Sequence, residues 1–246
     1  MTDFLHLSLR SRGRDQTSEW YCKNLGFEER RRGTTGLGTH TAILVHPSTE
    51  TYIEVSDRAY KGHDFDIPEE SIMLQLKVPD LKETLERLQS NGAKVTEGDA
   101  SSQYVFLEDP DGYEVELVRG EPGEAARFTS IGLRVNDLDK SARFYQEAIG
   151  FKEERRWTTQ RGTNISILKL EDGAPTIALR HMPFLSAMPR IPEDLMHLAF
   201  PVDEMQSWVP DMRQRGLTVD EDGPRMSWLT DPDGYELEMI ERRKEG

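Results

Sequence analysis

Residues 107–117 read LEDPDGYEVEL, and residues 229–239 read LTDPDGYELEM. In each, Asp, Pro and Gly mark a tight turn, and the apolar–polar alternation after it is the period-two pattern of a strand with one buried face. A recurrence of this length points to an internal repeat. A second pair of stretches agrees: WYCKNLGFEERRRG at 20–33 is echoed by FYQEAIGFKEERRW at 144–157. Both place an aromatic pair, a helix-ending glycine (Gly26, Gly150), a phenylalanine and a charged strand in the same order. The chain therefore reads as two copies of one domain, residues 1–120 and 127–246, joined by EPGEAA.

Each copy divides again. Leu5, Leu7 and Leu9 alternate with His6, Ser8 and Arg10, as in a half-buried strand. The pattern predicts a helix ending at Leu25, then strands near 27–32, 41–46 and 51–57. A second unit follows, with a strand over 72–78, a helix over 81–91 stopped by Gly92, and strands near 94–97, 103–107 and 113–118. Third and fourth units run from about 128 to 181 and from about 195 to 241. The predicted class is α+β, with four β-α-β-β-β units in two tandem half-barrel domains. Trp20, Tyr21, Phe144 and Tyr145 are expected to pack helices onto sheets, and His46 and His63 to approach a cleft mouth.

Composition narrows the chemistry. The chain has 246 residues, enough for two small domains each with its own core. No apolar run is long enough to span a bilayer, and MTDFLHLSLRSR lacks a signal peptide's apolar stretch, so a soluble cytoplasmic protein is expected. A single cysteine, Cys22, excludes an intrachain disulfide and a thiolate cluster, leaving His, Asp and Glu for any metal. The formal net charge of −14 argues against a nucleic-acid partner.

Four β-α-β-β-β units, two of them closing on DPDGYxxE, give a chain that resembles the vicinal oxygen chelate superfamily along essentially its whole length. That group includes glyoxalase I, extradiol dioxygenases, methylmalonyl-CoA epimerase, fosfomycin-resistance enzymes and bleomycin-binding proteins. The resemblance implies glyoxalase-like half-barrels curled around a divalent metal, each unit offering one ligand from its first strand and one from its last. Carried onto this chain, unit one offers His6 in FLHLSLR and Glu54 in TYIEVSD, and unit four offers His197 in DLMHLAF and Glu238 in GYELEM. Unit two has Glu116 but Met73 at its first-strand position, with Gln75 two residues on. Unit three has Ser130, and its last strand TIALRH offers only Ala178 or Arg180. Fused four-unit glyoxalases pair outer with outer and inner with inner units. The implied result is one working metal site between units one and four, and a decayed twin between two and three.

The implied activity is that of a divalent-metal enzyme, using Ni, Zn, Fe or Mn, with glyoxalase I-like lyase or isomerase chemistry through a metal-bound enediolate. Glu238 or Glu54 would carry the proton between neighbouring carbons. Arg10, four residues after His6 on one strand face, is expected to face an anionic substrate. Arg58 stands where glutathione-binding relatives place an asparagine, so a different small oxyanion or hydroxy-carbonyl substrate is expected there. Two alternatives stay open: Fe(II) ring cleavage on His6, His197 and Glu238, and small-molecule (antibiotic) binding without catalysis. A monomer or homodimer serves any of these.

Overall fold

The computed structural model describes residues 4–35, 38–58, 62, 64–221 and 223–242. Unit one comprises β1 (His6–Arg10), α1 (Arg14–Leu25), β2 (Glu28–Thr34), β3 (His40–Val45) and β4 (Tyr52–Asp57). Unit two comprises β5 (Ile72–Val78), α2 (Leu81–Ser90), β6 (Lys94–Glu97), β7 (Tyr104–Glu108) and β8 (Glu114–Arg119). Unit three comprises β9 (Arg127–Arg134), α3 (Leu138–Ala148), β10 (Lys152–Thr158), β11 (Asn164–Lys169) and β12 (Thr176–His181). Unit four comprises β13 (Met196–Val202), α4 (Met205–Gln214), β14 (Asp220–Glu221), β15 (Met226–Thr230) and β16 (Glu236–Glu241). The fold is α+β, and the elements fall close to their expected positions.

Within each unit the first strand lies parallel to the last, as β1 does to β4 and β13 to β16. The units then join in pairs. An outer sheet runs β14-β15-β16-β13-β1-β4-β3-β2, and an inner sheet runs β10-β11-β12-β9-β5-β8-β7-β6. Unit one is thus continuous with unit four through the antiparallel β1–β13 seam, and unit two with unit three through β5–β9. Each sheet takes one unit from each copy.

Strand alternation explains the layering. Leu7, Leu9, Ile53, Val55, Leu198 and Leu237 are at most 1% exposed and belong to one apolar cluster that runs through both sheets. The helices cover it with matched stripes, such as Leu81, Leu85 and Leu88 of α2 and Tyr145 and Ala148 of α3. Asp80 and Asp137 start those two helices by accepting the backbone N–H three residues on. Tyr21, Phe144 and Tyr145 are buried in the cluster as expected. His46 is not at a cleft mouth: it is buried edge-on to Phe27, its Nδ1 2.7 Å from the Ser48 hydroxyl. The short β3–β4 loop keeps that ring within the helix–sheet layer. His63 lies outside the described residues.

The repeated DPDGY phrase turns out to be a docking device. Asp109 Oδ1 accepts the backbone N–H groups of Asp111, Gly112 and Tyr113, each at 2.9 Å, while Oδ2 accepts the Tyr21 hydroxyl of α1. Asp111 accepts the Arg12 N–H and the Thr17 hydroxyl, both at 2.7 Å. Gly112 and Gly234 take φ of +100° and +103°, a conformation that side-chain-bearing residues rarely adopt. Asp231 and Asp233 repeat the pattern against Tyr145, Asn136 and Ser141 of unit three. The tyrosines then cross between sheets. Tyr113 of the inner sheet donates to the carbonyls of Arg10 and Leu195, both at 3.0 Å, where β1 and β13 meet. Tyr235 of the outer sheet donates to Ser71 and Arg134 beside the inner seam. Among the described residues, no helix is long and apolar enough to cross a membrane.

Candidate metal centre

Register on the outer sheet decides which side chains meet. Across the β1–β13 seam Ser8 faces His197 and His6 faces Ala199, and Ala199 in turn faces Glu238 on β16. One lateral row therefore reads Tyr52–His6–Ala199–Glu238–Trp228, and the next reads Glu54–Ser8–His197–Glu236. Small residues separate the large polar ones in each row. Ala199 lets His6 and Glu238 reach each other over its methyl group, while Ser8 stands between Glu54 and His197 and donates to Glu54.

The result is a compact donor set. His6 Nε2 lies 3.1 Å from His197 Nε2, and each lies 3.4 Å from Glu238 Oε2. Both imidazoles are buried, at 4% and 5% exposure, and Glu238 is only partly exposed. When the proton of each neutral imidazole sits on Nδ1, both Nε2 atoms and the carboxylate oxygen are acceptors, and a cation between them relieves their mutual repulsion. Ligands held at about 2.1 Å from a first-row divalent ion stand about 3.0–3.4 Å apart at octahedral to tetrahedral angles. The triangle has that size. Burial, and then the neighbouring His197, hold the His6 imidazole well below its ordinary pKa, in the neutral form that ligates. The donor set therefore fits a divalent metal.

Three of the four expected ligands, His6, His197 and Glu238, share this triangle. Glu54 lies outside it, accepting from the Ser8 hydroxyl at 3.4 Å. Burial raises the proton affinity of Glu54, opposed by His197 and Arg58 and reinforced by Glu238. The two expected substrate cations are otherwise engaged. Arg58 pairs with Asp194 of unit four, and its charge also reaches Glu54 and Glu236. Arg10 donates to the Gly62 carbonyl at 2.9 Å and stacks over Phe65, 4.8 Å from the ring centre. Its counterpart Arg134 donates to the Glu69 and Ser186 carbonyls, so this arginine supports loops in both sheets.

Sequence reasoning gave no role to Trp228 or Tyr52. The Tyr52 ring stacks on His6 at 4.7 Å and 20°, and Trp228 meets His197 edge-on at 5.2 Å and 88°. Burial and the two nearby glutamates push the Tyr52 phenol up to about 12. The signal for Tyr52 was its place beside His6 on the parallel strand pair. Nothing local marked Trp228.

The inner sheet has the same register with other side chains. Ser130 stands at the His6 position, Met73 at His197, Ala178 at Glu54 and Glu116 at Glu238. Arg180 fills the space, donating to Glu70 at 2.6 Å and Glu114 at 3.2 Å, with Met73 Sδ also at 3.2 Å. Burial pushes the Glu114 carboxyl up to about 7 even with Arg180 beside it. Glu116 accepts from Gln75 at 2.6 Å. A fixed guanidinium holds the inner carboxylates together.

The family model of the Glyoxalase/Bleomycin resistance protein/Dioxygenase superfamily matches residues 3–117 and again 127–239. The chain belongs to that superfamily. It is 28% identical over 160 residues to a lactoylglutathione lyase of Arabidopsis thaliana, a match spanning 62% of this chain and 56% of that relative. A lactoylglutathione lyase of Oryza sativa is 41% identical over 56 residues, 23% of this chain and 19% of its own. Glyoxalase I from Zea mays superposes with a TM-score of 0.81 over 97% of this chain and 92% of its own, at 21% identity, a likeness of fold. The chain thus spans a little over half the length of the Arabidopsis relative it matches.

Proposed function

We propose that the outer sheet carries a single divalent-metal site and that the protein is a glyoxalase I-like lyase or isomerase acting on a small, oxygen-bearing, anionic substrate. The convergence of His6, His197 and Glu238 within 4.8 Å carries this reading. The lactoylglutathione lyases among its relatives support the reaction class. A bound divalent ion would supply Lewis acidity to two adjacent oxygens of the substrate. His6, His197 and Glu238 would hold it. Glu54 stands beside that triangle, and its raised proton affinity suits it to take a proton from one substrate carbon and return it to the next. Arg58, mostly buried and paired with Asp194, would exchange that partner for the substrate's anionic group. Arg10, held by Gly62 and Phe65, would shape the wall.

The test is turnover of methylglyoxal–thiol adducts by metal-reloaded protein, with wild type beside Glu54→Gln. The expected outcome is activity in wild type, and a loss of about 100-fold or more in kcat for E54Q with metal content retained. E54Q turnover equal to wild type would remove Glu54 as the base. A second reading rests on one observation: the compact set is two histidines and one carboxylate, the facial arrangement of non-haem iron oxygenases. Oxygen uptake with catechols on Fe(II)-loaded protein, without adduct turnover, would favour it.

A further inference from the structure

A metal-bound imidazole is normally aimed by the hydrogen bond its other nitrogen donates to a carboxylate or carbonyl. Here the Nδ1 atoms of His6 and His197 are both buried, and neither has a hydrogen-bond partner among the described residues. Aromatic rings pack against both imidazoles. Tyr52 lies flat against His6, and Trp228 stands edge-on to His197. The third contact is between the imidazoles themselves, whose centres are 5.2 Å apart at 71°. We infer that Tyr52 and Trp228 are positioning residues that aim the two imidazoles toward the metal by ring packing, in place of hydrogen bonds to Nδ1.

The inner sheet supplies an internal control for half of this. Thr176 occupies the register position of Tyr52, and its hydroxyl bonds to Ser130, the residue in the place of His6, at 3.1 Å. An aromatic ring stands where the neighbour is an imidazole, and a small hydroxyl where the neighbour is a serine. A flat ring at 4.7 Å leaves the imidazole plane little freedom to rotate, whereas an aliphatic side chain offers no matching face. Trp228 is backed by β15–β16 pairing, directly opposite Glu238, so one residue steadies both an imidazole and the strand of the third donor.

This inference rests on the metal reading of the same site, and its test separates the two. Zn(II) is titrated into metal-free protein against a competing chromophoric chelator, for wild type, Tyr52→Phe, Tyr52→Leu, Trp228→Phe and Trp228→Leu. Where a Leu variant does not fold, as judged by circular dichroism of the metal-free protein, the strand-favouring Ile variant replaces it. The expected result is one tight Zn(II) in wild type, affinity within about threefold in both Phe variants, and a loss of about 10–100-fold in both Leu variants. Leu variants that bind like wild type would overturn the positioning role and leave the metal reading standing. Phe variants as weak as the Leu variants would overturn ring packing as the cause. A wild type that takes no Zn(II) would overturn the metal reading and the inference with it.

Discussion

The outer and inner sheets are each built from a pair of β-α-β-β-β units in the same register, yet they reach opposite solutions at the same place. In the outer sheet the seam presents His6, His197 and Glu238 over small residues, Ser8 and Ala199, and leaves acceptors facing one another. In the inner sheet Ser130, Met73, Ala178 and Glu116 take the matching positions, and Arg180 enters from β12 as a covalently tethered cation. Both arrangements satisfy the same physical demand. Buried carboxylates need a positive partner; the outer set fits a mobile divalent ion, and the inner set carries its own guanidinium. Fold and register are therefore common property, and the choice at a few positions on the cleft face separates a ligand-competent site from a structural one.

Substitutions sharpen that contrast. The largest stability effect is expected at Arg180. Arg180→Met strips the cation from Glu70 and Glu114, which are partly buried, and should cost about 2–4 kcal/mol in urea unfolding with outer-site metal binding unchanged. A cost below about 0.5 kcal/mol would show that the guanidinium does not hold the inner cleft together.

Next come the crossing tyrosines. Tyr113→Phe and Tyr235→Phe each remove a buried hydroxyl shared by two carbonyls, at about 1–3 kcal/mol apiece. The two should differ in one respect. Tyr113 braces β1 and β13 next to the imidazoles, so its loss should also weaken divalent-metal affinity several-fold, measured by chelator competition. Loss of Tyr235, which braces the inner seam, should leave that affinity unchanged. Equal effects of the two on affinity would break the assignment of one seam to the metal.

The substitution expected to cost least at neutral pH is Asp109→Asn, and its readout is the pH dependence of stability. Burial, then the neighbouring aspartate, push Asp109 and Asp231 up to about 7 in the folded chain. A carboxyl whose folded pKa exceeds its unfolded value binds more protons when folded, so stability should fall as pH rises from about 4 to about 7 and then level off. The three backbone N–H groups and the tyrosine hydroxyl held by each carboxylate oppose the shift, so it is smaller than burial alone would give. Asp109→Asn, which keeps the acceptor oxygen, should flatten that slope in urea unfolding over this range. An unchanged slope would place the titration elsewhere.

Much of this was legible in the sequence because it is local or periodic. DPDGY gives the turn, alternation gives the apolar face of β1 though both its faces are buried, and self-comparison gives the two copies. The candidate ligand positions were legible only through the resemblance, since nothing local joins His6 to a histidine 191 residues away. What escaped detection depends on lateral register and on side-chain direction across strands. Trp228 reaches His197 diagonally over β16, a contact set by pairings that the sequence does not display. Arg180 was read at the last-strand position of unit three, but its pairing with Glu70 and Glu114 was not legible. Arg10 was read correctly as sharing a face with His6, but a loop carbonyl and the Phe65 ring meet it there.

The central claim is one metal per chain, held across the seam of units one and four. Metal content by plasma mass spectrometry tests it most directly, on wild type, His6→Ala, His197→Ala and Glu116→Gln, each purified without chelators and reloaded in turn with nickel, zinc, iron and manganese. The account predicts about one divalent ion per chain in wild type and Glu116→Gln, and none retained in either histidine variant. A wild type that holds no ion after reloading, or an ion lost in Glu116→Gln and kept without His6 or His197, would contradict it.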